Sequence, residues 1–308
     1  MNPAHFPPRL APGDSVALIA PGGVVDAERV ADAVALLESR GLRVLRHRDL
    51  TARHRYLAGD DATRRAELGW ALSAPEVRAV FLARGGYGSQ RILDAVTPGH
   101  LGAPRAVVGF SDNTALLDHL RLRAGWCVVH GPHPRAEPAG EFDAVLGCLG
   151  LFGEPARTVL RDLELLNPGP WEARTAEVGG GCLSLLAASQ GTPYAFRAAG
   201  RIVFTEDVAE PAYRLDRLLH QVRTAGALDG AAALVFGRPA AFLPPDHGAE
   251  ERTALDQLLR EFAAGCPFPV LAGAPCGHCT PNLPLPFGPR ALLDPARGTL
   301  AFLEDAVR

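Results

Sequence analysis

The sequence contains no lysine, so all 31 of its basic residues are arginine. That absence removes Schiff-base chemistry, serine–lysine dyads and the lysine of a phosphate-binding P-loop. Cysteine is scarce as well, with six in 308 residues, too few for a disulfide scaffold and suggestive of a reduced compartment. Neither charge sign dominates. Thirty-one basic against 34 acidic residues leave a formal charge of −3, so neither nucleic acid nor an anionic membrane is an expected partner. No apolar run approaches the ~18 residues of a membrane span. The opening MNPAHFPPRLAPGD has no apolar core of a secretory signal, and a cytoplasmic location is expected. What remains is ordinary globular composition, 47% hydrophobic and 21% charged, with room for about two domains of roughly 150 residues.

The first half alternates short apolar runs with helical patterns. Strands are predicted over 15–20, 42–45, 77–83 and 105–110, each β-branched or apolar and bounded by turn residues. Asp26 is placed to cap a helix with Val30, Val34 and Leu37 on one face and Gly41 beyond its end. Further helices are predicted over 61–72, near 90–95 and from Asn113 to about Arg123. This alternation predicts an α/β domain with a largely parallel sheet. Between 132 and 171 prolines and glycines interrupt any long element, which places a linker region at 134–175 between domains of 1–133 and 176–308. The second half opens on Gly179-Gly180-Gly181, followed by predicted strands at 201–206, 232–237 and 270–274. Helices are expected near 213–223 and 250–264, and a hairpin at 291–303.

Four segments can carry chemistry. In Gly109-Phe110-Ser111-Asp112 an apolar strand runs through a serine directly into a helix. Such a serine is either an N-cap or an exposed nucleophile facing the free N–H groups of the helix. Arg84-Gly85-Gly86-Tyr87-Gly88 follows another strand, and its glycines fit either a tight turn or a backbone that approaches a ligand with its amides. No G-x-G-x-x-G or G-K-[ST] accompanies it. Glu206 closes a strand ahead of Asp207, and alternation along a strand lets one of the two enter a given cleft. His278 lies in a loop after an apolar strand, where α/β proteins build sites. It sits inside the C-x-x-C of Cys276 and Cys279, which lacks the second pair a structural zinc would need. His130 and His133 have no third ligand beside them in the sequence, so no metal site is expected.

In order and spacing, these segments resemble the LD-carboxypeptidases (muramoyltetrapeptide carboxypeptidases), serine peptidases that trim cell-wall peptides. The resemblance spans nearly the whole chain. It runs through Leu10-Ala11-Pro12-Gly13-Asp14, Tyr56-Leu57-Ala58-Gly59-Asp60, the Arg84–Gly88 loop, Gly109–Asp112 and His130-Gly131-Pro132, then Gly191-Thr192-Pro193-Tyr194, Glu206-Asp207 and Gly277-His278. It implies a Rossmann-like or amidotransferase-like N-terminal domain carrying the serine and a smaller C-terminal α/β domain, with the active site at their interface. By resemblance Ser111 is the nucleophile, His278 the base and Glu206 the residue that orients it. The oxyanion donors are the N–H of Asp112 and of the Gly85–Gly86 loop, and Arg84 is available to a substrate carboxylate. The implied reaction removes the terminal D-Ala of a murein tetrapeptide at an L–D bond, without metal or other cofactor. The substrate is a small muropeptide, and a homodimer is compatible with the family. Two other readings fit the same chain: a hydrolase of microcin-like peptidyl or aminoacyl adenylates, and a non-catalytic protein that binds wall peptides. Cys182, Cys276 and Cys279 depart from the family pattern.

Overall fold

Apolar, β-branched runs become the strands of the first half, and the first of them sets the pattern. Strand β1 (Ser15–Ile19) is buried along its full length and is followed by α1 (Ala27–Ser39), whose cap Asp26 accepts from the Arg29 amide at 2.7 Å. Then come β2 (Arg43–Leu45), α2 (Asp61–Ser73) capped by Asp60, and β3 (Val77–Leu82). A 3₁₀ turn occupies Ser89–Ala95, where a short helix was expected. Strand β4 (Ala106–Gly109) leads through a second 3₁₀ turn (Ser111–Asn113) into α3 (Thr114–His119), followed by β5 (Val128–His130). The helix predicted from Asn113 to about Arg123 is thus a composite, whose last turn (Leu120–Ala124) is π-type and ends at Gly125 with φ 71°.

The computed structural model describes residues 3–97, 99, 101–135, 138 and 140–308. The chain divides into two compact units. One comprises Met1–Arg157, Leu283–Gly288 and Asp305–Arg308, and the other Thr158–Asn282 and Pro289–Glu304. The stretch read as a linker contains built structure: α4 (Glu141–Cys148) and the two-residue strands β6 (Val159–Leu160) and β7 (Glu164–Leu165). Its prolines fall between these elements, so they limit element length without unfolding the segment. Phe142 of α4 packs edge-on against Phe81 of β3 at 5.4 Å between ring centroids, and both are buried in the core of the first unit.

The second unit contains β8 (Arg174–Cys182), α5 (Leu183–Ala188), β9 (Ile202–Glu206), α6 (Ala212–Thr224), β10 (Ala233–Gly237), α7 (Pro239–Phe242), α8 (Ala249–Ala264) and β11 (Val270–Ala274). After β12 (Leu285–Phe287), which belongs to the first unit, β13 (Arg290–Asp294) and β14 (Thr299–Phe302) complete it as the expected hairpin. The triple glycine at 179–181, on which the second half was read to open before its first strand, lies inside β8. The neighbouring strand approaches so closely that a Cβ on Gly180 would sit 2.0 Å from the Phe204 carbonyl oxygen.

The first sheet has the order β12-β5-β4-β3-β1-β2, parallel except for β12, which runs antiparallel to β5. The second has the order β6-β14-β13-β8-β9-β10-β11-β7, with β8, β9, β10 and β11 parallel and the outer pairs antiparallel. Parallel neighbours place their carboxyl ends along one sheet edge. In the first unit the loops after β1, β3 and β4 therefore lie side by side, and in the second the segments after β9, β10 and β11 do so.

The fold makes α4 part of the first core, which can be tested directly. Phe142→Ala is expected to lower the stability of the first unit by about 3–5 kcal/mol, the cost of an emptied aromatic site. Urea unfolding followed by circular dichroism measures this; a loss near zero would mean that α4 is a detachable connection.

Candidate active site

The first unit gathers its chemistry around Ser111. The backbone there is left-handed, with φ 63° in a residue that has a Cβ, a conformation that costs of order 1–3 kcal/mol and persists only where the surroundings enforce it. Ser111 is not the helix cap. The cap of α3 is Asn113 and that of the 3₁₀ turn is Phe110, and neither makes a side-chain capping hydrogen bond. The half-buried serine thus stands at a sharp strand-to-helix turn, the geometry that lifts a nucleophile above a sheet.

The Gly85–Gly86 loop lies directly against it. A Cβ on Gly85 would fall 2.8 Å from the Ser111 Cβ, 3.0 Å from its Oγ and 3.5 Å from the Asp112 nitrogen. Only glycine fits there. The Gly23 amide donates to the carbonyls of Gly85 (3.3 Å) and Gly86 (3.0 Å), joining this loop to the one after β1. Arg84 donates from Nη1 to the Val24 carbonyl at 2.6 Å, so part of the guanidinium offered to a substrate carboxylate is engaged with backbone.

Asp112 is buried, and its carboxylate turns inward to accept from the amides of Gly88 (3.2 Å) and Ser89 (2.8 Å). Burial pushes its carboxyl above the usual range, against the pull of those donors. Asn113 holds His133 through Oδ1 to Nε2 at 2.9 Å, and the Phe110 ring lies 4.5 Å from that of His133. His133, weighed in the sequence only as a metal ligand, here braces the serine turn. Tyr56 and Tyr87 stand exposed with ring centroids 6.1 Å apart, Tyr87 within the glycine loop itself.

The second unit gathers Glu206 and His278. Glu206 ends β9 with its side chain 3% exposed, and its Oε2 meets His278 Nδ1 at 2.7 Å and the His278 backbone amide at 2.9 Å. A carboxylate on Nδ1 places the proton there and leaves Nε2 as the basic nitrogen. Glycines make this approach feasible: a Cβ on Gly277 (φ 90°) would lie 2.4 Å from the Glu206 Cγ and Oε2, and one on Gly237 2.9 Å from its Cβ. The Asn282 Oδ1 fixes the Gly277 amide at 2.8 Å. Burial works to lower the His278 pKa, but the hydrogen bond and charge of Glu206, with the charge of Asp207 behind them, outweigh it and hold the imidazole above its ordinary value.

Asp207 points elsewhere, accepting from the amides of Ser184 (2.7 Å) and Val208 (2.9 Å) and from the Cys182 thiol (3.5 Å). Burial and the two neighbouring carboxylates raise that thiol well above its ordinary pKa, so it is no thiolate nucleophile. Cys276 and Cys279 are unbridged, and the Cys279 Sγ donates to the Cys276 and Pro281 carbonyls. Among the described residues, no group of three or more His, Cys, Asp or Glu is placed to hold a metal ion. No helix among them is long and apolar enough to cross a membrane.

Two candidate groups thus exist, one in each unit: Ser111 with Gly85, Gly86, Arg84 and Asp112, and Glu206 with His278. Comparison with known proteins identifies both halves. Residues 16–131 match the LD-carboxypeptidase N-terminal domain and residues 175–293 the LD-carboxypeptidase C-terminal domain. A Bacillus subtilis protein named as a probable murein peptide carboxypeptidase is 32% identical, covering 96% of this chain and 93% of its own length. The murein tetrapeptide carboxypeptidase of Pseudomonas aeruginosa is 31% identical, covering 91% and 92%. The crystal structure of the muramoyltetrapeptide carboxypeptidase from Oxalobacter formigenes superposes with a TM-score of 0.80 at 27% identity, over 94% of this chain and 99% of that one. With both domains matched in order and full-length relatives above 30% identity, the chain belongs to the LD-carboxypeptidase family of serine hydrolases.

Proposed function

We propose that the protein is a murein tetrapeptide carboxypeptidase that releases terminal D-Ala by cleaving an L–D peptide bond through an acyl-enzyme on Ser111. The observation that carries this reading is the Glu206–His278 pair, a buried carboxylate on Nδ1 that leaves Nε2 as a general base. The names of the relatives supply the substrate class. In the proposed reaction His278 Nε2 takes the Ser111 hydroxyl proton as Oγ attacks the scissile carbonyl. The N–H of Asp112 and of the Gly85–Gly86 loop receive the oxyanion, each such donor being worth about 3–4 kcal/mol. The imidazolium returns its proton to the nitrogen of departing D-Ala. Water, deprotonated by the same nitrogen, then attacks the ester, and the proton passes from His278 to the departing Ser111 Oγ as the shortened peptide is freed. Glu206 holds the tautomer and stabilises the cation that forms between the two proton transfers.

One observation favours a second reading. The exposed Tyr56–Tyr87 pair offers flat faces next to the glycine loop, which would suit the base of a peptidyl or aminoacyl adenylate. Comparing kcat/KM for L-Ala–γ-D-Glu–diamino acid–D-Ala with that for a peptidyl-adenylate analogue decides between them. The tetrapeptide is expected to be the better substrate, and its all-L analogue a poor one; faster cleavage of the adenylate would replace the first reading.

Ser111→Ala and His278→Ala are each expected to lower kcat by about 10⁴-fold or more, with the double variant little worse, since members of one catalytic unit are not additive. Substrate affinity measured by calorimetry should survive Ser111→Ala. Near-wild-type turnover in that variant would remove Ser111 from the chemistry.

The pH dependence follows from the raised His278 pKa. The base works when neutral, so kcat/KM should rise with pH along an acid limb placed above the ordinary imidazole range. Glu206→Gln removes the charge that raises it; the limb should move to lower pH while the rate at its plateau falls by about 10⁴. Asp207→Asn should be milder on both counts. An acid limb unmoved by Glu206→Gln would show that another group sets it.

A further inference from the structure

We propose that Arg64 and the Asp112 carboxylate form a clamp on Gly88 that positions the Gly85–Gly86 loop against Ser111, making Arg64 a positioning residue for the reaction. This rests on the reading of Ser111 as nucleophile and adds to it two side chains that do not touch substrate.

Arg64 projects from α2 and is wholly buried. A buried guanidinium is costly unless each of its donors is used, and here they reach three separate loops. Nη1 donates to the Pro21 carbonyl after β1 and to the Gly88 carbonyl at 2.9 Å after β3, and Nε to the Gly59 carbonyl at 3.3 Å before α2. Nη2 pairs with Asp61, whose carboxylate also binds Arg91.

The other half of the clamp comes from the serine turn. Asp112, the residue after Ser111, accepts from the Gly88 amide at 3.2 Å and the Ser89 amide at 2.8 Å. Gly88 is therefore gripped at its carbonyl by a buried cation and at its N–H by a buried carboxylate. Its backbone has φ 150°, and a Cβ would lie 2.9 Å from Arg64 Nη1 and 2.8 Å from Leu57 Cδ2, so the site has no slack. Two residues earlier in the same loop stands Gly86, and one before that Gly85, whose Cα faces the Ser111 side chain. A shift of Gly88 would carry these amides away from the position where the oxyanion forms. Lysine cannot substitute, because a single ammonium cannot span three loops in the fixed fork of a guanidinium.

The test uses Arg64→Lys, Asp112→Asn and the double variant in the full chain. Three quantities are read: kcat and KM on the tetrapeptide, the rate of Ser111 labelling by a serine-directed phosphonate, and thermal unfolding. A displaced donor loop should lower kcat and the labelling rate by about 10²-fold, with KM little changed. The double variant should be no slower than the slower single, because both act through Gly88. Asp112→Asn keeps the side-chain shape, so it decides the matter should Arg64→Lys fail to fold. Folded variants with kcat and labelling near wild type overturn the clamp while leaving Ser111 as nucleophile. Full activity of Ser111→Ala would overturn both.

Discussion

A carboxylate withdrawn from water must find donors, and Glu206 finds two on a single residue. Its Oε2 accepts from both the ring and the backbone of His278. Desolvating such an ion costs several kcal/mol, which only charge-assisted hydrogen bonds of good geometry can offset. The requirement propagates outward. For the imidazole to reach the carboxylate, the chain at 277 and at 237 must pass where no Cβ fits, and both positions are glycine. For Gly277 to hold its turn, its amide is anchored by Asn282. The parallel order of β9, β10 and β11 is what brings these three segments to one sheet edge.

The same economy of space governs the first unit, with backbone in place of an ion pair. Ser111 occupies a strained left-handed conformation because the loop after β3 presses on one side and Asp112 is drawn inward on the other. The strain resides in a turn tied down by Asn113, His133 and the Gly88–Ser89 amides, a setting in which an unfavourable φ persists.

Cysteine chemistry illustrates how environment overrides motif. Cys276 and Cys279 have the spacing of a metal or dithiol pair, yet they are unbridged and Cys279 gives its S–H to carbonyls. Cys182 lies beside Glu206 and Asp207, where burial and negative charge hold the proton on sulfur. Neither spacing nor residue type reports these surroundings.

Periodicity and punctuation in the sequence were enough to place most of the alternating strands and helices of both halves, the Asp26 cap and the strand ends at which Ser111, Glu206 and His278 stand, because these depend on residues close along the chain; β5 and α5 were not legible there. Three features were decided only by the tertiary structure. The triple glycine lies within β8, where the Phe204 backbone of the adjacent strand leaves no room for a Cβ at Gly180. The proline-rich stretch acquired α4 because Phe81 offers a partner for Phe142. Leu285–Phe287 left the second unit to pair with β5. Arg64 is a further case: nothing in the sequence marks it out on α2, and the meeting of the loops at Pro21, Gly59 and Gly88 makes it a buried hub. Local propensity acts over a few residues; close backbone approach and shared hydrogen-bond partners are properties of segments that meet in space, and the linear order of residues does not contain them.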